Sequence, residues 1–183
     1  MSNNPSLTFS RIEIIFQKFF LFFQDKSQRI NRGDIALIVY DFDGVMTDNR
    51  ALQLQDGTEA VFVNRGDGYG VSQIKKMGIK QLILSTETNT VVAARGKKLN
   101  IEVIQGSSDK KTALTAYCGE LNIDLANVLY VGNDLNDLQV MQVVGFPVAP
   151  LDAHPLIIKI AKHVTMAKGG CGVIKELSEN VII

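Results

Sequence analysis

Asp41 and Asp43 stand two residues apart, directly after the apolar run Ile35–Tyr40 (IALIVY) and just before Gly44. In a strand, residues i and i+2 point the same way. Two carboxylates therefore converge, while Phe42 turns into packing. Close carboxylates repel, so one must be protonated or a cation must sit between them. The pair suits a hard-metal site, or a nucleophile with an acid/base partner. Gly44 permits a sharp turn away from the strand.

A carboxylate attacking a phosphate ester meets the same repulsion. Charges of −1 and −2 at about 4 Å repel by roughly 8 kcal/mol at an effective dielectric of 20, about six powers of ten in rate. A bridging Mg2+ removes most of that barrier. A fixed lysine and hydrogen-bond donors then hold the transferring oxygens. The chain supplies such parts in order. Ser85 and Thr86 follow QLIL (81–84), Lys110 opens a helical pattern, and Asn133, Asp134 and Asp137 follow NVLYV (127–131). A lysine at a helix start opposes the helix dipole, which points to an anionic partner.

These residues need a scaffold that brings them to one edge. Apolar runs end in polar clusters at 35–40, 81–84, 100–104 and 127–131, with two shorter runs at 145–148 and 163–165. Helical patterns near 68–78, 88–99, 109–121, 134–144 and 153–161 alternate with them, Gly78 and Gly145 reading as C-caps. The expected fold is α/β, a Rossmann-like parallel sheet with helices on both faces. Ligands in such folds sit beyond the carboxyl ends of the strands. Arg50–Leu54 and Glu59–Val63 flank an Asp-Gly turn and read as a β-hairpin, about 50–63, rising beside the site.

The 183 residues carry 19 basic and 19 acidic side chains. Zero net charge argues against bulk attraction to nucleic acid. Two distant cysteines without CxxC spacing argue against a zinc site or disulfide scaffold and fit a cytoplasmic location. Leu7–Phe23 holds six of the nine Phe residues. Arg11, Glu13, Gln17 and Lys18 interrupt it, so it reads as an amphipathic helix and neither a membrane span nor a signal peptide. Residues 1–34 are then an N-terminal helical extension and linker, and 35–183 the main domain. Gly66–Gly70 lacks the last glycine of a dinucleotide loop. It reads as a turn entering a helix, with Arg65 near the substrate. His154, His163 and Cys118 read as structural.

The segments DFDGVMTD, LILST, SSDK and YVGNDLND, in that order, resemble the four motifs of the haloacid-dehalogenase (HAD) superfamily of aspartate-nucleophile phosphatases. The hairpin, RGDGYG, APLDAHP and a C-terminal GGxG resemble a narrower branch. It holds 3-deoxy-D-manno-octulosonate 8-phosphate (KDO 8-phosphate) phosphatase, nine-carbon sugar acid 9-phosphate phosphatases, and C-terminal domains of some acylneuraminate cytidylyltransferases. The likeness covers roughly residues 35 to 180, one domain's length.

The resemblance implies that Asp41 is the nucleophile and a metal ligand. It makes Asp43 the acid and then base, with its main-chain carbonyl on the metal. Ser85, Thr86 and Lys110 would bind the phosphate, and Mg2+ would be the cofactor. Where the family usually has Gly-Asp-Asp, this chain has Gly132-Asn133-Asp134. Either Asn133 ligates, with Asp134 or Asp137 supplying charge, or metal affinity is weakened. Gly169-Gly170-Cys171-Gly172 lacks the arginine often found there.

Only 41 residues lie between Asp43 and Ser85, too few for a cap domain besides the hairpin and a helix. The expectation is a capless site covered by the hairpin of a neighbouring subunit in a homotetramer. The reading is a Mg2+-dependent phosphatase of an eight- or nine-carbon sugar acid phosphate in surface polysaccharide synthesis. Its rivals are a non-catalytic oligomerisation domain beside a cytidylyltransferase and a broad small-phosphate phosphatase.

Overall fold

The computed structural model describes residue 26 and residues 28–183. The Phe-rich run 7–23 lies outside them. Eight strands are present among these residues: β1 (Leu37–Tyr40), β2 (Thr47–Gln53), β3 (Glu59–Val63), β4 (Lys80–Leu84), β5 (Glu102–Ile104), β6 (Val128–Val131), β7 (Phe146–Ala149) and β8 (His163–Val164). The α-helices are α1 (Arg65–Lys76), α2 (Thr90–Leu99), α3 (Lys110–Leu121), α4 (Leu138–Met141), α5 (Pro155–Ile160) and α6 (Val173–Glu176).

Six strands form one parallel sheet in the order β5-β4-β1-β6-β7-β8. The fold is the expected α/β sheet with helices on both faces. Strand β1 is central because all four of its residues are apolar or aromatic and fully buried. Ile38 and Tyr40 pack into one apolar cluster, Leu37 and Val39 into the other. Burial on both faces leaves no polar alternation to read, as a doubly covered strand requires. The chain crosses from β1 to β4 on one side and reaches β6 on the other, so the topological switch lies at the carboxyl end of β1. That is where Asp41 follows.

The hairpin is a separate antiparallel pair, β2 and β3, with Leu52 opposite Ala60. It starts at Thr47, three residues earlier than the sequence suggests, through an irregularity between Thr47 and Ala51 where Asn49 takes φ 63°. Arg65 already belongs to α1, whose N-cap Asn64 accepts from Gly66 N at 2.7 Å. The Gly66–Gly70 segment is thus the first turns of the helix itself. The expected helix 134–144 is only a 3-10 turn, Leu135–Asp137, followed by α4.

Gly145 is not a C-cap. A Cβ there would overlap the carbonyl of Ala126, so this glycine lets two chain segments approach. Gly78, with φ 81°, does follow the end of α1. The expected linker is partly docked. Ile30 is buried and pairs in parallel with Ile182, through Ile30 N to Val181 O at 2.8 Å and Ile183 N to Ile30 O at 3.0 Å. Among the described residues no helix is long and apolar enough to cross a membrane.

Candidate active site

Asp41 continues the sheet, its N–H donating to Val131 O at 2.9 Å. The chain then turns: Met46 N and Thr47 N return to Phe42 O at 2.9 and 3.1 Å. Gly44 makes this turn with φ 77°, and a Cβ on it would overlap the Asn133 amide. A glycine is required there on both counts.

The turn leaves Asp41 almost wholly buried beside Lys110. Lys110 is the first residue of α3, itself capped by Asp109. Its Nζ lies 2.7 Å from Asp41 Oδ1 and 2.7 Å from Asp137 Oδ1. Two carboxylates thus compensate a buried ammonium that would otherwise be costly to desolvate. They hold its pKa above the ordinary lysine value against the opposing effect of burial. Burial first, and then the charge of Asp137, push the Asp41 carboxyl upward, while Lys110 pulls it down. A charged Lys110 at hydrogen-bonding distance favours the ionised form of Asp41.

Asp137 is fully buried and saturated. Its Oδ1 also accepts from Tyr130 Oη at 2.8 Å, and its Oδ2 accepts from the N–H groups of Asn133 and Asp134 at 2.9 and 3.3 Å. Both of its oxygens are engaged in this arrangement, and it anchors Lys110 from the side opposite Asp41. Asp134 is exposed and caps its own turn, accepting from Leu135 N at 2.7 Å. It too is engaged locally.

Asn133 is different. One oxygen of its surroundings is Asp41 Oδ2, 3.2 Å away, and another is the Asp43 carbonyl, 2.9 Å away. With its nitrogen inward, the amide donates to both. With its oxygen inward, three oxygens face one another with no donor among them. Neighbouring oxygens around Mg2+ at 2.0–2.1 Å stand about 3 Å apart in octahedral geometry, so the second orientation matches a hard cation. These donors fit the expected metal: one carboxylate, one carbonyl and one amide oxygen. No group of three or more His, Cys, Asp or Glu side chains is poised for a metal among the described residues.

Asp43 is half-buried and accepts from Thr47 Oγ1 at 3.2 Å. Burial raises its pKa, Thr47 and Lys110 lower it, and Glu59 of the hairpin raises it again. A raised carboxyl suits a group that donates a proton. Ser85 follows β4 and is buried. Its N–H continues the ladder to Ile104 O, and its Oγ accepts from Glu87 N at 3.1 Å. β4 pairs directly with β1, Tyr40 beside Ile83, which puts Ser85 and Thr86 at the same sheet edge as Asp41. Asp43 opens into a cleft of about 280 Å3 whose walls include Arg50, Glu59, Glu87 and Asn89. Asn89 Nδ2 donates to Glu59 Oε2 at 3.1 Å and ties the hairpin to the loop after β4.

Arg65 lies elsewhere. It opens α1 and is exposed on a groove between α1 and α2, and it does not line the cleft beside Asp43. Tyr130 is the participant that sequence reasoning missed. Tyr130 reads in sequence as one more apolar strand residue, and only the fold places its hydroxyl on Asp137. His154 caps α5 and His163 Nδ1 meets Gln28 O.

Residues 38–177 match the family model of haloacid dehalogenase-like hydrolases. The chain is 34% identical over 152 residues to the KDO 8-phosphate phosphatase KdsC of Yersinia pestis, covering 82% of this chain and 81% of that one. A HAD family hydrolase structure from Streptomyces avermitilis superposes with TM-score 0.82 at 46% identity, covering 85% and 89% of the two chains. A Moraxella catarrhalis KDO 8-phosphate phosphatase structure, in complex with magnesium, phosphate and KDO, gives 0.78 at 29% identity, covering 88% and 90%. A buried lysine held between two aspartates at the switch point of such a sheet, with these matches over most of its length, makes the chain a member of the haloacid dehalogenase-like hydrolases, and a phosphatase among them.

Proposed function

We propose that this phosphatase hydrolyses the phosphomonoester of an eight- or nine-carbon sugar acid, of the KDO 8-phosphate or KDN/N-acetylneuraminate 9-phosphate type. The observation that carries the reaction is Lys110, buried between Asp41 and Asp137. The substrate class rests on the names of the relatives. We place it in the cytoplasm, in lipopolysaccharide or related surface polysaccharide synthesis.

In this reading Asp41 attacks phosphorus and becomes an aspartyl-phosphate. Asp43 gives its proton to the departing alcohol oxygen, then takes one from the water that hydrolyses the intermediate. Lys110 and the donors of Ser85 and Thr86 hold the phosphoryl oxygens. Asp41, the Asp43 carbonyl and Asn133 would hold Mg2+. When bound, it supplies positive charge that lets the carboxylate and phosphate approach. Asp134 and Asp137 tune this set from outside it.

Arg50 is the only basic side chain lining the cleft among the described residues, and it is already paired with Asp48 at 2.6 Å. Glu59 and Glu87 oppose a substrate carboxylate. A neighbouring copy in a homotetramer, its hairpin covering the cleft, supplies the missing counter-charge in this reading. Asn133 also supports a second reading, because an uncharged ligand weakens metal binding: a non-catalytic oligomerisation domain beside a cytidylyltransferase.

One panel tests both. Purified protein is assayed with Mg2+ against p-nitrophenyl phosphate, KDO 8-phosphate, the two 9-phosphates and nucleotides. The expected result is turnover that disappears in Asp41→Asn and with EDTA, with kcat/KM highest on a sugar acid phosphate. Absence of turnover on every ester would favour the second reading. Equal rates on all would favour a broad small-phosphate phosphatase.

A further inference from the structure

We propose that the groove between α1 and α2 is a binding site for a small phosphorylated polyanion, separate from the catalytic cleft. It encloses about 480 Å3 and is lined by Arg65, Lys75, Arg95 and Lys98 around Val71 and Leu99. No acidic side chain lines it among the described residues. None of its four cations has a carboxylate within 4 Å among them.

The arrangement follows from helix periodicity. Arg65, Gly68, Ser72 and Lys75 fall three or four residues apart and share one face of α1. The ten steps from Arg65 to Lys75 span about 15 Å. Arg95 and Lys98 are three apart on α2 and face the same groove. Like charges gathered in this way repel and cost stability unless an anion sits among them. Arg95 makes the case sharper. It is 7% exposed, its Nη2 donates to Asn64 O at 2.9 Å, and its Nε has no partner. The nearby carboxylate that senses it, Asp67, has Oδ1 turned to the N–H groups of Ile174 and Lys175, while its buried Oδ2 has no hydrogen-bond partner. Three exposed cations around the wall that Arg95 completes form a receptor for phosphate oxygens.

The groove has more than charge. Gly68, Val71 and Leu99 give it an apolar floor between basic walls. A nucleoside diphosphate has the matching parts: two phosphates and a flat ring. Inorganic pyrophosphate has the charge without the ring. The two probes therefore separate what the walls and the floor contribute.

Titration calorimetry on the full chain in EDTA tests the site, with CDP and pyrophosphate as probes. Three proteins are compared: wild type, Lys75→Ala/Lys98→Ala, and Lys110→Ala. Lys75 and Lys98 are exposed, so their removal leaves the fold intact, and a melting curve checks this and confirms that the probes are titrated into folded Lys110→Ala. The expected result is binding that weakens about tenfold or more in the double variant, is retained in Lys110→Ala, and falls with added salt. Tighter binding of CDP than of pyrophosphate assigns the ring to the floor, and equal binding assigns recognition to charge alone. Binding lost in Lys110→Ala but kept in the double variant overturns the proposal, because the probes then occupy the catalytic cleft. Failure of wild type to bind either probe at millimolar concentration overturns it as well.

Discussion

Lys110 could not be buried alone. The residue is 2% exposed, and each of its two carboxylate partners removes part of the desolvation penalty. Asp137 in turn is positioned by Tyr130 and two main-chain N–H groups. Breaking this arrangement from one side leaves a charge uncompensated, at a cost of about 3 kcal/mol or more. Losing only the tyrosine hydroxyl removes one hydrogen bond, about 1 to 2 kcal/mol. Urea unfolding should therefore rank Asp137→Asn well below Tyr130→Phe, and Tyr130→Phe below wild type. An Asp137→Asn protein as stable as wild type would mean that Asp41 alone suffices for Lys110.

Asp67 gives the pH-dependent counterpart. Burial pushes its carboxyl up to about 6, against the pull of the Lys175 and Ile174 N–H groups and of Arg95. Below about pH 4 both folded and unfolded chains hold the proton, and the group costs nothing. Between pH 4 and 6 only the folded chain keeps it, so stability falls as pH rises, by up to about 3 kcal/mol. Asp67→Asn keeps the acceptor for α6 and removes the titration. Its stability relative to wild type should rise across that window and level off above pH 6, as followed by urea midpoints. A difference that stays flat with pH would contradict this.

At the scale of elements, the strands were legible because burial on both sides demands continuous apolar runs. β1, β4 and β6 read directly from IALIVY, QLIL and NVLYV. Asp41, Ser85 and Asn133 could be placed at one edge from sequence because each follows the end of an apolar run, while Lys110 opens a helix. The C-terminal pieces were not. α6 has no local cap: its first N–H groups are satisfied by Asp67, more than a hundred residues earlier. No window of sequence contains that interaction. Asn133 was recognised as a departure, but whether its oxygen could meet Asp41 and Asp43 depends on Gly44 lying beneath it.

For the whole molecule, the hairpin decides how much of the surface is finished. Its cleft side carries Ala51 and Val61. The opposite face carries Leu52, Leu54 and Phe62, with Phe62 72% exposed. An isolated two-stranded hairpin is marginally stable in water, and exposed apolar rows of this kind mark contact surfaces. We expect light scattering to give the mass of four chains and Phe62→Asp to lower both mass and turnover. A wild-type monomer with full activity would contradict the shared site.

The pairing of residues 30–32 with 181–183 has a mechanical consequence. The two segments run parallel, so tension between Ile30 and Ile183 pulls them past each other lengthwise. Their main-chain bonds are then loaded side by side rather than unzipped one at a time. The domain resists stretching at a short clasp outside the central sheet, and a pull along this direction would open the clasp before it strains the catalytic edge.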